Sequence, residues 1–360
     1  MYPALAVADS LRAIGNIDIH LVGTKTGLER KLFEESGLPG HYLMARPLPA
    51  RKGPRWAANC LSIGGALVQA VLLLRRLRPR VVAGTGGYAS VCVIRAAQLL
   101  GVPTLVHEMD AHAGRANRAV VRRATKVTVG FSSAASELGR PDAVVTGNPL
   151  RPQFHSPDPA GAAERYGLEA GRRTVLVLGG SRGAVALTEA AVGAAPDVSA
   201  AGAQLVVIAG RGNMEQAERW AKELPTEARA QLHLVEYVSE GIADLFAAAD
   251  LAVCRAGAAT VFELAATGLP AILIPYPYAT GDHQRRNAQA LAEAGAALLV
   301  DQAEVVGPGL LGGLLRGLLN EENRLRRMSA AARAWARPDA AAEIARLVFE
   351  LASPGTASEE

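Results

Sequence analysis

The stretch from Asp250 to Asn287, DLAVCRAGAATVFELAATGLPAILIPYPYATGDHQRRN, decides the fold of this chain. Residues 251–254 are a short apolar run, which predicts a buried parallel strand. Residues 255–257 predict a tight turn, and residues 258–267 predict a helix that stops at Gly268. A second strand and a second helix follow in the same order. Repeated strand–turn–helix units of this kind predict an open α/β sheet.

The same stretch carries polar residues where a ligand would bind. In an open α/β sheet, ligands bind at the carboxyl ends of the strands, where helix N-termini present free N–H groups. Glu263 falls about one turn into the predicted helix, so its carboxylate can reach that edge. A carboxylate there can accept two hydrogen bonds from the vicinal hydroxyls of a ribose. The alternative is that Glu263 only stabilises the helix dipole.

Length and composition favour a two-domain globular protein. The chain has 360 residues, of which 50% are apolar and 20% are charged. The net charge of +4 permits an anionic membrane surface or phosphorylated ligands, but no concentrated basic run indicates nucleic acid. The three cysteines have no paired spacing, which argues against a disulfide framework or a zinc site and fits a reducing cytoplasm. Met1 leads into an ordinary helix pattern, so no signal peptide is expected.

Alternating strand and helix patterns predict a parallel sheet in each half of the chain. The run GNPLRP at 147–152 interrupts the pattern and predicts a hinge. We therefore expect an N-terminal domain at 1–150 and a C-terminal domain at 151–335, followed by a helical tail at 336–360.

Each predicted domain contains a glycine-rich turn between a strand and a helix. Glycines let the backbone approach a phosphate, and the helix N-terminus favours its charge. Two such turns, at 84–88 and 179–183, suggest two phosphorylated ligands, although glycine can also serve tight packing alone. Ser181 can add a hydroxyl donor to a phosphate, and Arg151 beside the hinge can neutralise one. Because no Asp-x-Asp occurs in a suitable setting, no metal is expected, and helix N-termini and arginine would stabilise the leaving group.

A candidate base lies at the end of another predicted strand. His107 and Glu108 follow the apolar run 103–106, and a His–carboxylate pair suits proton removal from an acceptor hydroxyl. The alternative for His107 is a buried ring that is hydrogen-bonded within the fold.

The segment Trp56–Leu74 is uncharged and approaches the ~20 residues needed to span a bilayer. Four arginines follow it closely. We expect a helix that lies on its domain with an exposed apolar side against lipid. An internal helix and a true transmembrane span are the alternatives.

The motifs GTGGY, HEMDAHAGRANR, GNPLR and GGSRG, together with the block at 250–287, resemble the MurG family of GT-B glycosyltransferases. The resemblance covers nearly the whole chain. It implies two Rossmann-like parallel-sheet domains facing across a cleft, with the C-terminal helix packed back on the first domain.

The resemblance also implies roles for individual residues. Ser181 and Arg151 would contact the donor phosphates, the backbone around Val238 would read uracil, and Glu263 would hold the ribose. The helix start would wrap the diphosphate and sugar through Ala258, Ala259, Thr260, Val261 and Phe262, and Gln284 would bind sugar hydroxyls. The groups facing the lipid-linked acceptor would be Gly84, Gly86, Gly87, Tyr88 and Glu108. Asn117, which flanks the same predicted edge as the catalytic candidates His107 and Glu108, is a further candidate for substrate binding.

Two departures from the family pattern stand out. Asp110 replaces the usual Asn in the substrate site, and an acidic side chain cannot donate a hydrogen bond to a sugar. The match to the family begins at Tyr2, immediately after the position of the family's first strand and GGTGGH loop. Both of these are missing from the given sequence. We expect a native start upstream of Met1, and for the chain as given poor solubility and little transferase activity.

The implied activity is inverting transfer of N-acetylglucosamine (GlcNAc) from UDP-GlcNAc to undecaprenyl-pyrophosphoryl-MurNAc-pentapeptide in peptidoglycan synthesis. No cofactor and no nucleic acid would be needed. The expected location is the cytoplasmic side of the cell membrane, on anionic lipid. The alternatives are a lipid glycosyltransferase, a UDP-GlcNAc 2-epimerase, or an inactive membrane-bound relative.

Overall fold

Strands and helices alternate along most of the chain, as the apolar runs predict. The computed structural model describes residues 2–24, 29–46, 53–179, 184–238, 240–307 and 309–353. Unit 1 comprises Met1–Arg151 and Pro338–Glu360, and unit 2 comprises Pro152–Arg337. The expected domain limits lie one and two residues from these boundaries, and the C-terminal helix belongs to unit 1.

Unit 1 contains short parallel strands that alternate with helices along most of the unit. Its strands are β1 (Leu21–Thr24), β2 (Gly40–Leu43), β3 (Val82–Gly84), β4 (Thr104–Glu108), β5 (Lys126–Val129) and β6 (Val144–Val145). Its helices are α1 (Tyr2–Ile14), α2 (Glu29–Ser36), α3 (Pro54–Leu77), α4 (Tyr88–Leu99), α5 (Arg115–Val120), α6 (Ser132–Glu137) and α17 (Ala340–Ala352).

The strands of unit 1 form two separate sheets in the described residues. One sheet pairs β1 with β2, and the other has the order β3–β4–β5–β6. Strands β1 and β3 therefore each have a hydrogen-bonded neighbour on one side only within these residues. The expectation of an additional strand upstream stays a prediction.

The core of unit 1 lies between the larger sheet and its helices. Val106, Val127 and Val129 at the centre of the sheet are completely buried. The C-terminal helix α17 packs against α1, as the resemblance implies. Each fully buried aliphatic side chain of this kind stabilises the fold by about 1.5–3 kcal/mol.

Unit 2 is a six-stranded parallel sheet with the order β12–β11–β10–β7–β8–β9. Its strands are β7 (Thr174–Leu178), β8 (Gln204–Ile208), β9 (Leu232–Val235), β10 (Leu251–Cys254), β11 (Ala271–Leu273) and β12 (Ala297–Leu299). Its helices are α7 (Pro159–Tyr166), α8 (Val185–Gly193), α9 (Ala195–Ala200), α10 (Met214–Lys222), α11 (Thr226–Ala230), α12 (Ile242–Ala248), α13 (Ala258–Thr267), α14 (His283–Glu293), α15 (Leu310–Asn320) and α16 (Glu322–Trp335).

The strand order of unit 2 fixes where a ligand can bind. From β7 the chain proceeds outward through β8 and β9, and it then returns to β10 on the other side of β7. The boundary between β7 and β10 is therefore a topological switch point, and ligands of doubly wound sheets bind at the carboxyl ends of the strands there. The connection after β7 includes residues 180–183, which lie outside the described residues, and α13 follows β10.

Candidate active site

Helix α13 presents free N–H groups at the switch point of unit 2. The residue before its first turn is Gly257, which has no side chain to cap them. The first N–H groups of a helix have no partner within the helix, and they favour an anion such as a phosphate. Ala258, Ala259 and Thr260 supply these groups, in agreement with their expected place at the start of the helix.

The expected contributions of Val261 and Phe262 do not fit the structure. The Val261 N–H already donates to the Gly257 carbonyl oxygen at 3.1 Å. The side chains of both residues are buried, and the Phe262 ring lies 4.8 Å from the Trp335 ring. These side chains therefore belong to the core of unit 2, and only the first three residues of α13 can face a diphosphate.

Glu263 lies in the second turn of α13 with a side chain that is 4% exposed. Its negative charge acts on the Cys254 thiol, whose pKa is raised to about 12 by burial and then by Glu263. Cys254 is the last residue of β10, and α13, which begins at Ala258, carries Glu263 in the turn that follows the helix start. The position suits the expected contact with a ribose.

Gln284 lies in the first turn of α14, and its side chain is held in a fixed orientation. Its side-chain oxygen accepts a hydrogen bond from the Tyr276 N–H at 2.9 Å. Since the backbone group is a donor, the oxygen must face Tyr276, and the side-chain amide nitrogen is the group turned toward a ligand. The expected binding of sugar hydroxyls by Gln284 then requires hydroxyl oxygens that accept from this nitrogen.

Arg255 holds the turn that follows β11. Its guanidinium donates to the carbonyl oxygens of Ile274 and Pro275 at 3.1 Å each and to the Gln302 side-chain oxygen at 2.6 Å. The sequence predicts a tight turn at 255–257 but does not indicate this role of Arg255. Because the Arg255 guanidinium already donates to three acceptors, it positions the turn after β11 and does not bind a phosphate.

Three further residues are expected to contact the donor, and the structure describes two of them. Val238 is half-buried in the connection after β9, and the adjacent Tyr237 ring has the Arg211 guanidinium 4.2 Å from its centre. Ser181 lies outside the described residues. Arg151 lies over the Tyr2 ring at 5.7 Å within unit 1. The contacts of these residues with a donor stay predictions.

The glycine turn of unit 1 has two structural requirements. A side chain at Gly84 would lie 2.3 Å from the Ser90 hydroxyl, so this glycine allows α4 to pack on β3. Gly86 and Gly87 have φ angles of 93° and 85°, which disfavour other residues. Tyr88 is the first residue of α4, and its ring packs against the core of unit 1. The turn thus presents a second glycine-capped helix start.

Glu108 organises the loop that follows β4. Its carboxylate accepts hydrogen bonds from the N–H groups of Asp110 at 3.0 Å and Gly114 at 2.9 Å. It also accepts one at 2.9 Å from the side chain of Asn117, which is itself buried and donates to the His107 carbonyl oxygen. Burial raises the pKa of Glu108, while these three donors act in the opposite direction.

These contacts revise the expected role of Glu108 as the base. A buried carboxylate with three donors is a positioning group for residues 109–114 in this arrangement, and Asn117 is its partner rather than an exposed ligand contact. Asp110 remains half-exposed within the loop.

The structure also argues against His107 as the base. The ring is completely buried, and burial lowers its pKa to about 4. One ring nitrogen lies 3.0 Å from the Thr128 hydroxyl and the other 3.0 Å from the Asn148 side-chain oxygen. With both nitrogens engaged, the ring has no position from which to accept a proton from a substrate.

Comparison with known proteins identifies the family. The Glycosyltransferase family 28 N-terminal domain matches residues 1–129, and the Glycosyltransferase family 28 C-terminal domain matches residues 174–344. The UDP-N-acetylglucosamine--N-acetylmuramyl-(pentapeptide) pyrophosphoryl-undecaprenol N-acetylglucosamine transferase of Desulforudis audaxviator is 38% identical, over 99% of this chain and 96% of that protein. The transferase of the same name from Halorhodospira halophila is 40% identical, over 98% and 95%. The chain belongs to the MurG family within glycosyltransferase family 28.

A solved MurG structure agrees with this assignment. The crystal structure of Acinetobacter baumannii MurG has a TM-score of 0.75 and 28% identity, and the match covers 97% of this chain and 95% of that one. The predicted GT-B fold with two Rossmann-like domains is therefore confirmed. A UDP-GlcNAc 2-epimerase from Neisseria meningitidis, with a TM-score of 0.67 and 10% identity, shares the fold alone.

Within the MurG family framework, the structure adds residues that sequence reasoning missed. Thr128 and Asn148 contact His107 from positions 21 and 41 residues away, so no local pattern indicates them. Asn148 belongs to the GNPLR motif, which was interpreted as a hinge and as part of the family resemblance but not as a contact of His107.

Proposed function

We propose that this chain transfers GlcNAc from UDP-GlcNAc to the 4-hydroxyl of undecaprenyl-pyrophosphoryl-MurNAc-pentapeptide, with inversion at the sugar carbon. The observation that carries this proposal is the match to transferases of that name over nearly the full chain. The switch point of unit 2 supplies the matching chemistry, because it combines an anion-binding helix start with a buried carboxylate.

The donor side can be assigned to groups of unit 2. The N–H groups of Ala258, Ala259 and Thr260 would bind the diphosphate and stabilise the charge that develops on it as it leaves. Glu263 would accept hydrogen bonds from the ribose hydroxyls, and the Gln284 amide would donate to the sugar. These are fixed dipoles and charges, which need little rearrangement during the reaction.

The acceptor side would use the loops of unit 1. In the reaction the acceptor hydroxyl oxygen bonds to the anomeric carbon, the bond from that carbon to the diphosphate breaks, and a base takes the hydroxyl proton. Glu108 and Asn117 would hold the loop at 109–114 beside the glycine turn of α4. They would thus act by positioning the acceptor.

A transfer assay with radiolabelled UDP-GlcNAc and a soluble analogue of the lipid acceptor tests this function. The expected result is one labelled disaccharide-lipid product for each UDP released. Conversion of UDP-GlcNAc to its C2 epimer without an acceptor would instead identify an epimerase. Binding of UDP-GlcNAc without turnover, also in a chain extended upstream, would indicate an inactive relative.

We further propose that unit 1 binds the cytoplasmic face of the cell membrane peripherally through α3. In the described residues, 59–77 is the one helical segment long and apolar enough to cross a bilayer, and only 17% of its best apolar window is buried. Ala66, Ala70 and Leu74 face the core, whereas Leu61, Val68 and Leu72 are 59–79% exposed. This division favours a surface helix over an internal one.

The charges at the end of α3 support binding to anionic lipid. Arg75 and Arg76 are exposed in its last turn, directly after the apolar stripe of Leu61, Val68 and Leu72. An apolar stripe that ends in arginines is typical of helices lying in the headgroup region of a membrane.

The double substitution Val68→Glu/Leu72→Glu should weaken binding to vesicles containing phosphatidylglycerol by about a hundredfold or more. It removes two apolar contacts worth about 1.5–3 kcal/mol each and adds two charges that anionic lipid repels. Co-sedimentation measures the change. Val185→Glu, an equally drastic change at a 53% exposed position of unit 2, is the control. Equal binding of the double variant and the control would contradict the proposal.

A further inference from the structure

A completely buried polar cluster lies at the carboxyl ends of β4 and β5 in unit 1. It consists of His107, Thr128 and Asn148, each 0% exposed, and we refer to it as the His107 cluster. Burying three polar side chains is unfavourable unless each forms its hydrogen bonds. None of the three can touch a substrate, and the transfer reaction as assigned above makes no direct use of them.

The partners of Asn148 determine the direction of every hydrogen bond in the His107 cluster. Its side-chain nitrogen donates to the Met109 carbonyl oxygen at 2.9 Å, so its side-chain oxygen is the acceptor that faces His107. His107 Nε2 must therefore carry the proton, and Nδ1 must accept from the Thr128 hydroxyl. The result is one directed chain that runs from Thr128 through His107 and Asn148 to the backbone of Met109.

The path of the Asn148 side chain requires a glycine at position 130. A side chain at Gly130 would lie 2.3 Å from the Asn148 side-chain oxygen and 2.9 Å from the Met109 carbonyl oxygen. Asn148 thus passes across Gly130, at the end of β5, to reach the loop after β4. The Gly130 N–H donates to the Glu108 carbonyl oxygen at 2.8 Å, which ties the same strand ends together.

We propose that Asn148, itself held by the His107 ring, is a positioning residue that fixes the acceptor-side loop at 109–114. The Glu108 carboxylate holds this loop at Asp110 and Gly114, and Asn148 holds it at Met109. The loop is thereby fixed at three points. The kinetic consequence rests on the proposed transferase function, whereas the hydrogen-bond chain does not.

Four variants test the kinetic consequence. Asn148→Ala removes the link to Met109, and Thr128→Val removes the donor to His107 with little change in shape. Thr128→Ser keeps that donor, and Leu138→Ala removes a buried contact of unit 1 outside the His107 cluster.

Asn148→Ala should lower kcat/KM for the acceptor by about tenfold to a hundredfold, because small displacements of positioning groups have effects of this size. The KM for UDP-GlcNAc should stay within about twofold, because the donor groups lie in unit 2.

Thr128→Val should lower kcat more than Thr128→Ser, although neither side chain reaches a ligand. If Leu138→Ala, measured at an equal loss in Tm, reduces kcat as much as Asn148→Ala does, the cluster serves stability alone and the proposal fails. It also fails if Thr128→Val and Thr128→Ser have the same kinetics.

Nuclear magnetic resonance gives a readout that does not depend on transfer. The ¹⁵N shifts of His107 should show a protonated Nε2 and a bare Nδ1 that persist from pH 5.5 to 8. Amide signals of residues 109–114 should shift in Asn148→Ala and Thr128→Val but not in Thr128→Ser. A protonated ring, the opposite tautomer, or an unmoved loop in Asn148→Ala would overturn the proposal. If these signals are intact but transfer is absent, also in a chain extended upstream, only the transferase function is refuted.

Discussion

Replacing Glu263 with glutamine is expected to weaken UDP-GlcNAc binding by about tenfold to a hundredfold. Hydrogen bonds to a charged group contribute about 1.5–3 kcal/mol, and about 1.4 kcal/mol corresponds to a factor of ten in the dissociation constant. Glutamine has nearly the same shape, so the buried position beside Cys254 stays filled. It is uncharged, and its nitrogen is a donor where the carboxylate has its second acceptor oxygen, so the paired acceptance from both ribose hydroxyls is lost. Isothermal titration calorimetry measures the change.

The ribose contact can be separated from a general loss of structure. UDP-GlcNAc that lacks the ribose 2′-hydroxyl should bind the wild-type chain more weakly, but it should bind Glu263→Gln about as well as the complete donor does. Glu293→Gln, at an exposed position on the neighbouring helix α14, should leave both affinities unchanged. If Glu263→Gln still distinguished the two donors as strongly as the wild type, the assignment of Glu263 to the ribose would be wrong.

The sequence was most informative where apolar runs are bounded by turns. Strand β10 (Leu251–Cys254) and helix α13 (Ala258–Thr267) have the predicted limits. All four residues of β10 are buried, and Gly268 stops the helix with a φ of 67°. Such constraints are local, so a single sequence is enough to predict them.

Elements without a local signal were missed or misjudged. Strand β2 (Gly40–Leu43) contains His41 and Tyr42 and is mostly half-buried, so it lacks the apolar run of a central strand. The sequence pattern predicts a helix at 114–124, but α5 ends at Val120 and a 3-10 turn follows at Val121–Arg123. The apolar run at 17–22 predicts a strand from residue 17, but β1 begins at Leu21.

The sequence predicted which edge of the sheet carries the candidate site, but it did not predict the contacts between the site residues. The start of α13 and the position of Glu263 follow from strand–turn–helix patterns. The roles of His107 and Arg255 are determined by hydrogen-bond partners that lie between 19 and 47 residues away in the sequence. Only the folded chain brings these partners together. A histidine at a strand end therefore suggested a base, whereas its three-dimensional neighbours make it part of the buried framework.

Replacing Glu108 with glutamine is expected to lower the transfer rate by about a hundredfold or more and also to destabilise unit 1. The carboxylate accepts from Asp110, Gly114 and Asn117, and a glutamine nitrogen would face at least one of these donors. Each donor left unsatisfied costs about 1–3 kcal/mol. Asn117→Ala, which removes one donor and leaves the carboxylate in place, should cause a smaller loss of both rate and stability. The KM for UDP-GlcNAc should change in neither variant.

The pH dependence of unfolding distinguishes this positioning role from that of an exposed base. Burial raises the pKa of Glu108, so the folded state favours the protonated carboxyl group. Its contribution to stability is complete below the unfolded pKa of about 4.3 and declines as the pH rises through the folded value. The stability difference between the wild type and Glu108→Gln should therefore be larger at pH 4 than at pH 7, as measured by urea unfolding. A carboxylate that reaches solvent as a free base would leave this difference nearly constant and would reduce the rate without loss of stability.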